Sequence, residues 1–145
     1  MMRTTIVNGR TRGLIASAVE VADTRALRRR GLLERERLDP CAALVLTPCF
    51  AIHTLSMRFA IDVLFLDRDG VVVRIVTNLV PGRIAVARRA HSVVELAAGV
   101  LAARDVAVGD RIYFEGRCKT ESGAIQMPSS SAAGGWVGGG CTRRA

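Results

Sequence analysis

His53-Thr54-Leu55-Ser56-Met57-Arg58-Phe59-Ala60-Ile61-Asp62-Val63-Leu64-Phe65-Leu66-Asp67 is the stretch on which the fold turns. It holds one of the two histidines and two of the four phenylalanines. Its second half, Ile61 to Leu66, is apolar except for Asp62, a run too continuous for a strand wetted on one face. We therefore place it as a strand in the middle of the fold. Asp62 is then buried, where an unpaired carboxylate costs several kcal/mol or gives up its charge. Either nearby donors hold it or the group is kept for chemistry.

Read as one uninterrupted strand, the stretch puts His53, Leu55, Met57, Phe59, Ile61, Val63 and Phe65 on one face. Thr54, Ser56, Arg58, Ala60 and Asp62 form a polar stripe on the other. Arg58 and Asp62 are about 13 Å apart on that stripe, beyond salt-bridge reach unless the chain bends near Phe59-Ala60. Glu95 is another candidate neighbour of Asp62. Such a carboxylate pair would raise one pKa and could work as acid and base. The candidate ligand-binding set is therefore His53, Thr54, Arg58, Asp62 and Glu95. Asp62 is better read as an acceptor for strand or loop amides than as a catalyst, and His53 as a hydrogen-bonded structural histidine.

Working outward, Thr4 to Asn8 and Leu14 to Ala22 read as a hairpin around the turn Gly9 to Gly13. Asp23 or Thr24 can cap a helix through Ala26, Leu27 and Arg30 that Gly31 ends. Its Arg25, Arg28, Arg29 and Arg30 read as a solvated face in preference to an anion site. Ala42 to Thr47 is a strand broken by Pro48. Arg68-Asp69-Gly70 is a hairpin turn between Ile61 to Asp67 and Val71 to Val76. Ile84 to Ala87, Ala90 to Leu96 and Arg111 to Glu115 complete the strands, with a single helical turn expected over Gly99 to Arg104. The pattern predicts a mainly β fold: a small closed or nearly closed β-barrel of about seven to eight short strands, with one short helix near the N-terminus.

Residues 1–116 are expected to form this single domain. The Gly/Ser-rich, basic stretch 117–145, with Ser129 to Gly135 and Gly138 to Gly140, cannot bury enough apolar surface to offset chain entropy and is expected to be a disordered tail.

The formal charge is +8, from 21 basic against 13 acidic residues, with Lys119 the single lysine. Arginine preference beside abundant Ala, Val and Gly reads as composition bias more than as a nucleic-acid face, and the aromatic interleaving of a single-strand binder is missing. Cys41, Cys49, Cys118 and Cys141 form no Cys-x-x-Cys pair and are expected to be free thiols, with no metal site and no cofactor. No secretion pattern precedes the first strand, and no apolar run approaches the roughly 20 residues of a membrane helix. The expectation is a soluble cytoplasmic protein, without membrane contact, monomeric or weakly dimeric. The preferred function is a non-catalytic binding or accessory module whose polar cleft, around His53, Arg58 and Asp62, takes a small anionic ligand or a peptide. The alternatives are a small hydrolase using Asp62 and His53, and weak nucleic-acid binding through the arginines.

Ala22-Asp23-Thr24, Arg30-Gly31-Leu32, His53-Thr54, Met57-Arg58-Phe59, Ile61-Asp62-Val63, Phe65-Leu66-Asp67, Val93, Glu95-Leu96, Ala98-Gly99 and Val108-Gly109-Asp110 occur in that order. Over about residues 5 to 115 the chain thereby resembles domain-of-unknown-function family 192, of bacteria and archaea. The resemblance implies a compact β-barrel-like fold with a short helix, and no activity, the family being uncharacterised. This chain has Ala60 and Ala97 where the family usually or often has proline, which loosens two bends beside the candidate residues.

Overall fold

The computed structural model describes residues 3–117. The expected tail lies, from residue 118 onward, outside the described residues. Nine strands and two short helices follow in the order β1 (Arg3–Asn8), β2 (Leu14–Ala22), α1 (Arg25–Arg30), β3 (Ala42–Leu46), β4 (Ala51–His53), β5 (Ile61–Leu66), β6 (Val72–Leu79), β7 (Ile84–Val86), β8 (Ser92–Ala97), α2 (Val100–Ala103) and β9 (Ile112–Arg117). No helix among the described residues is long and apolar enough to cross a membrane.

Seven strands form one sheet in the order β6-β5-β8-β3-β2-β1-β9, and β4 pairs with β7 in a separate small sheet. The large sheet curls into a half-barrel. Its two edge strands meet at one end only, through the Val71/Arg111 bridge and the bonds from Val72 N–H to Asp110 O (2.9 Å) and from Ile112 N–H to Gly70 O (2.8 Å). A side network braces this seam. The Asp110 carboxylate accepts from Arg10 Nε (2.7 Å), Asn8 Nδ2 (2.8 Å) and Ala107 N–H (2.9 Å). The Arg10 guanidinium holds its pKa down to about 2.

β5 lies one strand in from the β6 edge, and all six of its residues are buried. It is covered on both faces, which explains its unbroken apolar pattern. Leu64 and Leu66 join Ile6, Ile15, Val45, Val94, Leu96, Val100 and Leu101 in the barrel interior. Ile61, Val63 and Phe65 face the other way, into a second core with Leu32, Leu38, Leu46, Ile52, Met57, Ala85 and Val93. This second layer is made by the loop that leaves α1, the β4/β7 sheet and the turn after β4.

The notion of one strand from His53 to Asp67 is corrected. β4 ends at His53 and belongs to the small sheet, whereas β5 begins at Ile61. Between them the chain turns over Thr54 to Met57, closed by the Met57 N–H bond to Thr54 O (3.2 Å), with Ser56 at φ 65. A residue at positive φ breaks an extended run, so side-chain parity does not carry through the stretch.

At the hairpin end, the Asp67 side chain accepts from Asp69 N–H (2.9 Å) and Val71 N–H (3.0 Å). Gly70 sits at φ 77, and a Cβ there would lie 2.9 Å from Ile112 O across the seam. Gly70→Ala is expected to cost about 1 to 3 kcal/mol through left-handed strain and this clash. A urea titration beside wild type measures it, and an unchanged midpoint would contradict the closed seam.

Of the two described cysteines, Cys49 is a free thiol and Cys41 is disulfide-bonded, the latter a departure from the free thiol expected there.

Candidate functional site

Asp62 is fully buried and faces the barrel interior. One oxygen accepts from Asn78 N–H (2.8 Å) and the other from Leu101 N–H (3.0 Å). Leu101 lies in the first turn of α2, where backbone amides have no intrahelical partner. Gly99, at the N-cap, offers no side chain for the purpose. Asp62 therefore caps α2 from another strand and ties it to β5 and to the end of β6.

Thr54 is equally buried. Its hydroxyl donates to Val80 O (2.7 Å) and accepts from Arg83 N–H (2.9 Å), which closes the turn between β6 and β7. Arg58 points outward and makes an exposed ion pair with Glu36 (3.3 Å). Such a pair contributes about 1 kcal/mol at most. Arg58 and Asp62 do not meet.

Glu95 lies in the middle of β8. The register pairs Val63 with Glu95 and Asp62 with Leu96, and cross-strand partners share a face. Asp62 and Glu95 therefore project to opposite faces, and the anticipated carboxylate pair does not form. Glu95 is 4 % exposed, and its Oε2 is buried without a hydrogen-bond partner among the described residues. Burial pushes its pKa up to about 7, with Arg35 opposing. Arg35 is itself ion-paired to Glu20.

Glu95 belongs to a cleft of about 300 Å³ between α1 and the small sheet. Thr24 caps α1 by accepting from Leu27 N–H (3.2 Å), and Gly31 ends it, its N–H bonding Leu27 O (3.0 Å). This short helix brings Arg25, Arg28 and Arg29 to the cleft, and the exit loop adds Leu32 and Leu33. Ile52 and exposed His53 come from β4, Met57 from the turn after it, and Cys49 from the loop before it. The Cys49 thiol donates to Ala51 O (3.1 Å), and burial raises its pKa, so it is not an activated nucleophile. Among the described residues no group of three or more His, Cys, Asp or Glu could hold a metal ion.

The profile of DUF192, described as an uncharacterized ACR, matches residues 6–114. The chain belongs to the DUF192 family. Among solved structures, a Novosphingobium aromaticivorans protein of unknown function superposes with a TM-score of 0.67 at 22% identity, over 77% of this chain and 83% of the other. A Sinorhizobium meliloti protein, described provisionally as a transcription regulator, gives a TM-score of 0.65 at 23% identity, over 78% of this chain and 92% of the other. These likenesses establish the shared fold. No curated protein matches the chain.

In this DUF192 domain the residues that carry the resemblance divide by task. Thr54 and Asp62 hold the backbone, whereas His53, Met57 and Glu95 line the cleft. Of the five candidates read from the sequence, His53 and Glu95 are brought together. Arg25, Arg28, Arg29 and Cys49 were not among them. One signal for the arginines was present: three sit within two turns of a helix that carries no buried residue and has no acid in its first turn.

Proposed function

We propose that the protein is a non-catalytic binding module that takes a small anionic ligand, or the anionic end of a peptide, in the cleft between α1 and the small sheet. One observation carries this reading. Arg25 and Arg29 line the cleft with guanidinium groups that make no ion pair or hydrogen bond among the described residues. Arg28 beside them donates to the backbone oxygens of Asp23 (2.8 Å) and Thr47 (3.2 Å), which fixes the helix against the end of β3. Guanidinium forks beside an apolar wall of Leu32, Ile52 and Met57 suit a carboxylate or phosphate attached to an apolar body.

Hydrolysis by Asp62 and His53 has less support. Both Asp62 oxygens are engaged by backbone amides on the face away from the cleft, so Asp62 does not orient His53.

The probe is a series of linear fatty-acid anions from butanoate to octanoate, followed by NMR titration of the full chain. Saturable shifts at His53 and around Met57 are expected for at least one member, with affinity reduced about tenfold or more in the Arg25→Ala/Arg29→Ala variant. Shifts that are absent, or that persist unchanged in the double variant, would overturn the proposal.

A further inference from the structure

The cleft is lined by arginines and contains a buried acid, yet the two signs of charge do not meet. Arg28 is committed to the backbone oxygens of Asp23 and Thr47, Arg35 is committed to Glu20, and Glu95 Oε2 has no partner among the described residues. Glu95 comes from the central part of the sheet, whereas the arginines come from the covering helix. The walls between them are Leu32, Leu46, Ile52 and Met57.

An ionised carboxylate in this setting gains little from water, because it is almost fully covered, and nothing from a cation in contact among the described residues. A buried charge of this kind is stable only when paired. Among the described residues no cation fills that role, and a ligand that enters the cleft could supply one.

Resting on the binding reading above, we infer that the ligand carries two charges of opposite sign: a protonated amine that pairs with Glu95 at the inner end, and an anionic group that meets Arg25 and Arg29 at the mouth, joined by an apolar spacer against Leu32, Ile52 and Met57. Glu95 is thus a specificity-determining residue. It discriminates an amino-acid-like zwitterion from a simple anion by offering an acceptor that the simple anion leaves unsatisfied. The volume of about 300 Å³ is enough for a linear zwitterion of this size. The elevated Glu95 pKa agrees with this arrangement, because the empty site favours the neutral acid and an ammonium group would draw it into the ionised form.

The test uses matched pairs on the full chain at pH 8: linear ω-amino acids from aminobutanoate to aminooctanoate against the fatty acids of the same length, by calorimetry. At least one ω-amino acid is expected to bind about tenfold or more tightly than its fatty-acid partner. In Glu95→Gln, which retains shape and removes the charge, that preference is expected to vanish while fatty-acid binding persists. Equal binding of both partners by wild type would overturn the inference and leave the anion site standing. A preference that survives in Glu95→Gln would also overturn it, by placing the amine elsewhere. Loss of fatty-acid and amino-acid binding alike in wild type would remove both readings. The wild-type comparison needs no variant, so a folding defect in Glu95→Gln does not protect the inference.

Discussion

Glu95→Gln is expected to stabilise the fold by about 3 kcal/mol at pH 8 and to leave it nearly unchanged at pH 4. The expectation follows from burial. Glu95 is raised from an ordinary value of 4.5 to about 7, because the covered site disfavours its charged form. Its folded pKa lies above its unfolded one, so the neutral acid is the form the fold accepts. Stability is complete below about pH 4.5 and is lost as the pH climbs through 7, where the folded protein must ionise a buried group. Glutamine cannot ionise and escapes that loss. Urea midpoints for wild type and Glu95→Gln at pH 4, 6 and 8 give the difference, in which other titrating groups cancel. Asp110, held at about 2, does not change state over this range. Parallel stability curves for the two proteins between pH 5 and 8 would show that Glu95 finds a cation in solution.

A stabilising substitution at Glu95 also bears on function. Cores do not keep an unpaired acid for stability, since a neutral group of equal volume serves better there. A domain made more stable by losing Glu95 while losing its preference for zwitterions would show the familiar exchange of stability for a binding group.

Asp62→Ala is expected to act in the opposite sense and to destabilise the fold by about 3 to 5 kcal/mol, because two backbone amides lose their acceptor and stay buried. The amides are those of Asn78 and Leu101. Asp62→Asn keeps one acceptor oxygen and is expected to recover part of the loss. Denaturant midpoints measure the totals. Hydrogen exchange at Leu101 should report the local consequence, since α2 spans only Val100–Ala103 and has no other side-chain cap. A midpoint in Asp62→Ala equal to or above wild type would remove the structural role and make Asp62 the first residue to test for chemistry.

The two acids show where local pattern ends and tertiary structure begins. Some features need only the sequence. Ile61 to Leu66 is apolar enough to require cover on both faces, whatever lies beside it, and β5 is covered on both. Asp69-Gly70 prescribes a tight turn by backbone chemistry, and Gly70 at φ 77 adopts a conformation that other residues reach only with strain. The order of residues from Ala22 to Asp110 was enough to identify the family.

The candidate site was legible only in part. Which face an acid occupies depends on strand register, and a slip of one residue between β5 and β8 would put Asp62 and Glu95 on the same side. Nothing within His53 to Asp67 states that register. The same holds for the turn at Ser56, which sends β4 into a separate sheet and carries His53 to the cleft while Asp62 stays in the barrel. Arg25, Arg28 and Arg29 lie far from Glu95 in sequence and become its neighbours only because α1 connects the parallel strands β2 and β3 and lies over the outer face of the sheet. Hydrophobic patterning and turn chemistry act over a few residues, so the sequence alone determined the core strand, the hairpin and the family. Register and the packing of distant segments arise from the whole chain burying its surface at once, so only the tertiary structure decided that Asp62 is a brace and Glu95 a buried acid of the cleft.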